Sequence, residues 1–179
     1  MPGQRPIPHR RSAGDPAIRC TALGLVLTGR ITPDSGSLEL DDARSSLETF
    51  SALVDSPEIS APLDEIRVRD LVAEELALAA EPPGRGAVRE WLREHEFTEV
   101  FDLRVESIDG ATRTSLLCAL ALERRGVRLL VLDCPDRFGA DLDPWRQIAT
   151  SYAELDTPLS WSVTVGLSSF SASTPMPSA

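Results

Sequence analysis

The sequence predicts an α/β fold with a mainly parallel sheet. Its clearest unit is a helical pattern over Arg113–Arg125 followed by the apolar run Leu129–Leu132. That run ends on Asp133, and a further strand pattern lies at Leu159–Val165. Short apolar runs that alternate with helices are typical of parallel strands buried between helical layers. An acidic residue at the carboxyl end of such a strand lies where open α/β sheets bind ligands.

Composition limits the size and the partners of this domain. Apolar residues make up 42% of the 179 residues, which suits one domain with a hydrophobic core. The net charge of −10 argues against a nucleic-acid partner, because little positive charge is available to neutralise phosphates. All 18 basic residues are arginine, and the chain contains no lysine.

The cysteines and the apolar runs predict a cytoplasmic protein. Cys20, Cys118 and Cys134 are widely spaced, which fits neither a zinc site nor a disulfide framework and agrees with a reducing cytosol. No run approaches the roughly 18 apolar residues that a membrane-spanning helix requires. We therefore expect the protein to associate with the inner face of the cell membrane only through a partner.

The other elements follow in order along the chain. Apolar residues at helical spacing predict helices, and alternation of apolar and polar residues predicts strands. The predicted helices are Arg19–Arg30, Val68–Ala80, Ala87–Glu96 and Trp145–Leu155, and the predicted strands are Ser37–Asp41 and Thr49–Val54. Residues 1–16 are predicted to be a flexible arm and residues 167–179 a disordered tail. The domain then covers residues 17–166, with a helical insert at about 64–106.

Several motifs resemble those of the ATP-binding cassette (ABC) ATPases. Residues 29–36 read GRITPDSG, which resembles the turn after the first helix of that family. Residues 108–112 read IDGAT and residues 129–135 read LLVLDCP, in the order of the family's LSGGQ signature and Walker B strand. The resemblance covers residues 14–166 and implies a P-loop NTPase-like (ABC-type) fold. We expect the N-terminal β-subdomain to be missing, because only about a dozen residues precede the P-loop position.

The P-loop position departs from the family pattern. Alignment backward from Thr21 places it on Ala13–Thr21. A P-loop needs glycines around the phosphates, a lysine for their charge and a hydroxyl for Mg²⁺. In this alignment Ile18 stands at a glycine, Arg19 at the lysine and Cys20 at the hydroxyl. Any remaining nucleotide contact is expected at Gly14, Arg19, Cys20, Thr21 and Asp133.

The signature and Walker B positions carry different chemistry from the family. Asp109 stands at the signature serine, where it would repel a phosphate, although Gly110 is retained. Cys134 stands at the catalytic glutamate, so no catalytic residue is intact. Asp133 matches the carboxylate that holds Mg²⁺ in the family. From the residues alone, Asp133 is equally well explained as a strand-end aspartate that caps a turn.

Two further family positions are also changed. The Q-loop glutamine falls near Asp55, and Gly166 follows the strand that a switch histidine follows in the family. The helical insert resembles the subdomain that faces a membrane permease, although it is also explained as helices that pack on each other.

The resemblance and these changes lead to one function hypothesis and two alternatives. We expect a degenerate ABC-type domain that acts as a non-hydrolysing (pseudo-ATPase) subunit or scaffold of a membrane transport complex. Its partners would be a membrane permease or a second ABC-type subunit, with ATP and Mg²⁺ as the cofactors of any remaining binding. The alternatives are an ATP-hydrolysing subunit of an ABC transporter and a cytosolic adaptor that kept the fold without transport.

Overall fold

The computed structural model describes residues 16–35, 46–79, 84, 86–133, 147 and 162–166. The predicted strand Ser37–Asp41 lies outside these residues, as do the tail and all of the predicted arm except Pro16. The predicted helix Trp145–Leu155 also lies outside them, apart from the helical Gln147.

The sheet has three described strands, all parallel. They are β1 (Ser51–Val54), β2 (Leu129–Asp133) and β3 (Ser162–Gly166), in the order β1-β2-β3. The prediction of a mainly parallel sheet is confirmed. Because parallel strands run in one direction, the residues that follow β1 and β2 meet at the same edge of the sheet.

The described residues include five helices whose bounds the structure gives. They are α1 (Pro16–Leu27), α2 (Leu47–Phe50), α3 (Val68–Ala79), α4 (Ala87–Glu94) and α5 (Gly110–Glu123). Single 3₁₀ turns lie at Thr98–Val100 and Val105–Ser107. Helix α1 begins and ends three residues earlier than predicted, with proline at its first position and Gly29 in the left-handed region (φ 69°) after its end. Proline at a helix start and glycine past its end are both common.

One predicted strand begins too early. The strand expected from Thr49 is wrong at residues 49–50, which belong to the one-turn helix α2. Ser46 caps this helix, since its Oγ accepts a hydrogen bond from the Thr49 amide at 3.4 Å. Satisfying the free amides of a first turn favours helix over strand locally.

Helices cover both faces of the sheet. Because side chains alternate along a strand, Leu53 and Val131 face α1, where a Cβ added to Gly24 would lie 2.8 Å from Leu53 Cδ1. The opposite face of β1 and β2 belongs to a core that α3, α4 and α5 complete. This core includes Ala52, Val54, Leu130, Leu132, Val68, Leu71, Val72, Trp91, Leu92, Leu116 and Leu120.

The chain passes from the sheet to the helical insert and back through two paired segments. The amides of Val105 and Glu106 donate to the carbonyls of Ile66 and Asp64, each at 3.0 Å. Val68 donates to the Leu103 carbonyl at 2.9 Å. We call residues 64–68 and 103–106 together the crossing segments.

The close approach of α1 to the sheet predicts the effect of a side chain at Gly24. We expect Gly24→Val to lower the free energy of unfolding by about 1–3 kcal/mol, because the added side chain would collide with Leu53 between α1 and the sheet. Chemical denaturation would measure the change. Ala22→Val, at an exposed position of the same helix, is the control; an equal loss there would contradict the packing explanation.

Candidate functional site

Asp133 is the centre of a buried polar cluster at the carboxyl edge of the sheet. Asp133 is the last residue of β2, and it is 3% exposed. The hydroxyls of Thr21 and Ser56 each donate a hydrogen bond to Asp133 Oδ2 at 2.6 Å. The cluster therefore joins helix α1, the turn after β1 and the end of β2.

The second carboxylate oxygen of Asp133 has no such donor. Oδ1 is buried and accepts no hydrogen bond from any described residue. A buried acceptor of this kind in a native protein calls for a water, an ion or another explanation. Among the residues that the structure describes, no group of three or more His, Cys, Asp or Glu could hold a metal. A lone carboxylate fits Mg²⁺ when phosphate oxygens and waters complete its shell.

The turn after β1 sends two neighbouring side chains in different directions. Asp55 adopts a left-handed backbone conformation, with φ of 56°. Ser56 follows it and contacts Asp133, while the Asp55 carboxylate contacts Arg113 on α5. The turn is closed by the Ser60 amide, which donates to the Ser56 carbonyl at 2.9 Å. Aspartate tolerates this backbone region better than most residues.

Arg113 forms a buried ion pair with Asp55. Its Nε lies 3.1 Å from Asp55 Oδ2 and its Nη2 lies 3.0 Å from Oδ1. Its Nη1 reaches the exposed carboxylate of Asp64 at 2.9 Å. Burial acts to lower the pKa of Arg113, but its hydrogen bonds and charge interactions with Asp55 and Asp64 outweigh burial and hold the pKa above its usual value. Arg113 therefore remains positively charged.

Asp109 is the N-cap of α5. Its Oδ1 accepts a hydrogen bond from the Thr112 amide at 3.0 Å, and its Oδ2 accepts one from the Thr112 hydroxyl at 2.6 Å. These bonds, with the hydroxyl contributing most, lower the pKa of Asp109 below its usual value. The IDGAT turn thus forms a complete helix cap from its own residues.

The chain is similar to known proteins in its structure. No family model and no curated protein match it. Its structure is similar to a nucleotide-free ATP-binding cassette from an ABC transporter, with a TM-score of 0.54 over 82% of this chain at 13% identity. It is also similar to an inward-facing ABC transporter described as metal-chelate type, with a TM-score of 0.56 over 86% of this chain at 18% identity.

The chain has the fold of an ABC-type ATP-binding domain. The similarity in structure confirms the resemblance that the GRITPDSG and LLVLDCP motifs indicated. The chain spans 65% of the first of those two chains and 59% of the second. At these identities the similarity establishes the fold alone.

The structure brings together two of the residues that the sequence singles out, Thr21 and Asp133. Arg19 is exposed and Cys20 is half-buried on α1. Gly14 and Cys134 lie outside the described residues. Asp109 and Gly110 stand at the start of α5, where the contacts of the Asp109 carboxylate are with Thr112.

Two residues of the site were missed by sequence reasoning. Ser56 lies one residue beyond the Q-loop position, and Arg113 is the first residue of the helix that the sequence predicts. Ser56 could have been found from topology, because it follows the strand that pairs with β2 in parallel. Arg113 gave no comparable signal.

The buried thiol of Cys118, on α5, has a structural role. Cys118 is 1% exposed, and burial, with a smaller contribution from the charge of Asp55, raises its pKa to about 12. A thiol that stays protonated is a poor nucleophile and a poor metal ligand.

The capping role of Asp109 predicts a pH-dependent stability effect. We expect Asp109→Ala to cost about 1 kcal/mol at neutral pH, since the capping acceptors are lost. A lowered folded pKa means that the ionised cap stabilises the protein above the usual aspartate range and that this contribution is lost as the pH falls through the folded pKa. The difference between variant and wild type should therefore shrink in strong acid, as measured by denaturation at several pH values.

Asp109→Asn is the control for that effect, because asparagine caps nearly as well without a charge. A pH-independent cost of Asp109→Ala would show that the carboxylate contributes nothing through its ionisation.

The buried pair predicts non-additive stability effects. We expect Arg113→Met to lower the free energy of unfolding by about 3–5 kcal/mol, because it removes the cation that faces the buried Asp55 carboxylate. Asp55→Asn in the same chain should recover part of that loss, since it removes the buried charge and suits a left-handed backbone. A double-mutant cycle would measure the coupling, and additive losses would contradict it.

Proposed function

We propose that this chain is a non-hydrolysing, pseudo-ATPase subunit that serves as a scaffold in a membrane transport complex. The observation that carries the proposal is the state of Asp133, whose Oδ2 is held by the Thr21 and Ser56 hydroxyls. These internal donors stabilise the carboxylate in the way that a ligand-borne cation otherwise would. One of the two carboxylate oxygens of Asp133 is then satisfied from within the chain, without a nucleotide.

The position of Thr21 supports a degenerate P-loop shifted by one residue from the alignment given above. The pattern G-x-x-x-x-G-K-[S/T] begins at Gly14 if its hydroxyl residue is Thr21, which contacts Asp133. Arg19 then stands at the second glycine and Cys20 at the lysine. In either alignment the cation that balances the phosphate charge is not a lysine, because the chain has none.

The residues that would activate water support the same proposal. Cys134 stands at the catalytic glutamate, and loss of a general base typically costs about 10²–10⁴-fold in rate. His95 follows α4 in the helical insert, where its ring stacks on Trp91 with centroids 4.1 Å apart. His95 is thus part of the packing of the insert, and the other histidine, His9, lies outside the described residues.

The partner in this proposal is a membrane permease or a second ABC-type subunit. Both similar structures carry the name of an ABC transporter, and the proposed surface of contact is the helical insert. None of the described helices is long and apolar enough to cross a membrane. Association with the inner face of the cell membrane would therefore depend on the partner.

One observation favours a second candidate, a subunit that binds ATP with Mg²⁺. Asp133 Oδ1 is buried and accepts no hydrogen bond from the described residues, so it is an available acceptor at the right edge of the sheet. Binding through it would make the chain a nucleotide-responsive subunit, with hydrolysis still opposed by Cys134.

Calorimetric titration with ATP and Mg²⁺ separates these candidates. For the scaffold we expect no binding heat at millimolar ATP, because neither the phosphate charge nor the metal has its usual ligands. Asp133→Asn, which keeps the side-chain shape, is the control. Micromolar binding that disappears in this variant would contradict the scaffold and establish the second candidate. Phosphate release above background in the wild type alone would contradict both.

A further inference from the structure

A chain of polar contacts crosses the domain from α1 to the helical insert. It runs from Thr21 to Asp133 and then to Ser56. The next residue back along the chain, Asp55, contacts Arg113, and Arg113 contacts Asp64 at the start of the insert. The left-handed backbone at Asp55 connects the two halves, because it directs adjacent side chains to opposite partners.

Arg113 makes unequal contacts on its two sides. The Asp55 side is a two-nitrogen contact between groups that are each about 5% exposed. The Asp64 side is a single contact to a carboxylate that is 62% exposed. Asp64 also belongs to the crossing segments, where its carbonyl accepts from the Glu106 amide. One guanidinium therefore contacts both the turn after β1 and the segment that leads into the insert.

We propose that Arg113 clamps the helical insert to the Ser56 turn, so that the insert and the Asp133 cluster move as one rigid body. A planar guanidinium with several directed N–H groups fixes orientation as well as distance. The proposal does not depend on the proposed function, because every contact in it lies within the chain. It assigns to Arg113 a positioning role at the junction of sheet and insert.

The shared hydrophobic core explains attachment but not orientation. Val68, Leu71 and Leu92 of the insert belong to the same core as Leu116 and Leu120 of α5. Burial of apolar area is non-directional, so these contacts favour a docked insert at a range of small rotations. The directed contacts of Arg113 fix the insert in one of these orientations.

Hydrogen exchange on the full chain tests the clamp through Asp64→Ala. This substitution removes only the exposed contact and leaves the buried Arg113–Asp55 pair in place. We expect the Val105 and Glu106 amides, which bond across the crossing segments, to exchange about five-fold faster, as loss of one partly screened charge-assisted hydrogen bond implies. The Ser60 and Ala61 amides, which bond to the Ser56 carbonyl, should also exchange faster.

Asp102→Ala is the matched control. It removes another exposed aspartate–arginine pair, that of Asp102 with Arg69, within the insert itself. The amides of Leu130–Leu132 in the central strand β2 report global unfolding. The clamp is supported if Asp64→Ala accelerates both the crossing and the Ser60–Ala61 amides while β2 and the control remain unchanged.

Three results would overturn the clamp. The first is an Asp64→Ala pattern equal to that of Asp102→Ala, which would show a generic surface effect. The second is equal acceleration of Leu130–Leu132, which would show general destabilisation. The third is acceleration of the crossing segments without the Ser60 and Ala61 amides, which would show that the insert and the Ser56 turn are not linked through Arg113.

Discussion

A carboxylate removed from water has to be satisfied by other groups, and this requirement at Asp133 organises the carboxyl edge of the sheet. Thr21 and Ser56 supply two donors to one oxygen. Their positions require α1 to lie over one face of the sheet and the chain to turn sharply after β1. The left-handed conformation of Asp55 makes that turn. The packing of α1 on the sheet therefore also sets the geometry of the Asp133 cluster.

The sequence was informative where one local signal decided the structure. The run Leu129–Asp133 is apolar enough to be a buried strand and short enough not to be a helix, and the structure confirms this strand. Thr49 was placed wrongly in a strand, because the cap from Ser46 outweighs its strand preference. Arg113 could not be anticipated, since its partner Asp55 lies 58 positions away. A helical arginine beside buried leucines gives no sign of pointing inward.

The same limit applies to the P-loop position. The sequence alignment places the P-loop hydroxyl at Cys20, whereas the residue on α1 that contacts Asp133 is its neighbour Thr21. A helix turns by about 100° per residue, which follows from its 3.6 residues per turn. A one-residue error therefore moves a different side chain into the site. Long-range geometry, rather than composition, identifies the residue that faces the cluster.

The buried thiol of Cys118 has a practical consequence of its own. Because alkylating reagents attack the thiolate, a cysteine that is 1% exposed and has a pKa near 12 is protected for as long as α5 stays in the core. Its labelling rate then follows the fraction of molecules in which that helix has left the core. Alkylation of Cys118 in the unmodified chain therefore reports how often α5 leaves the core.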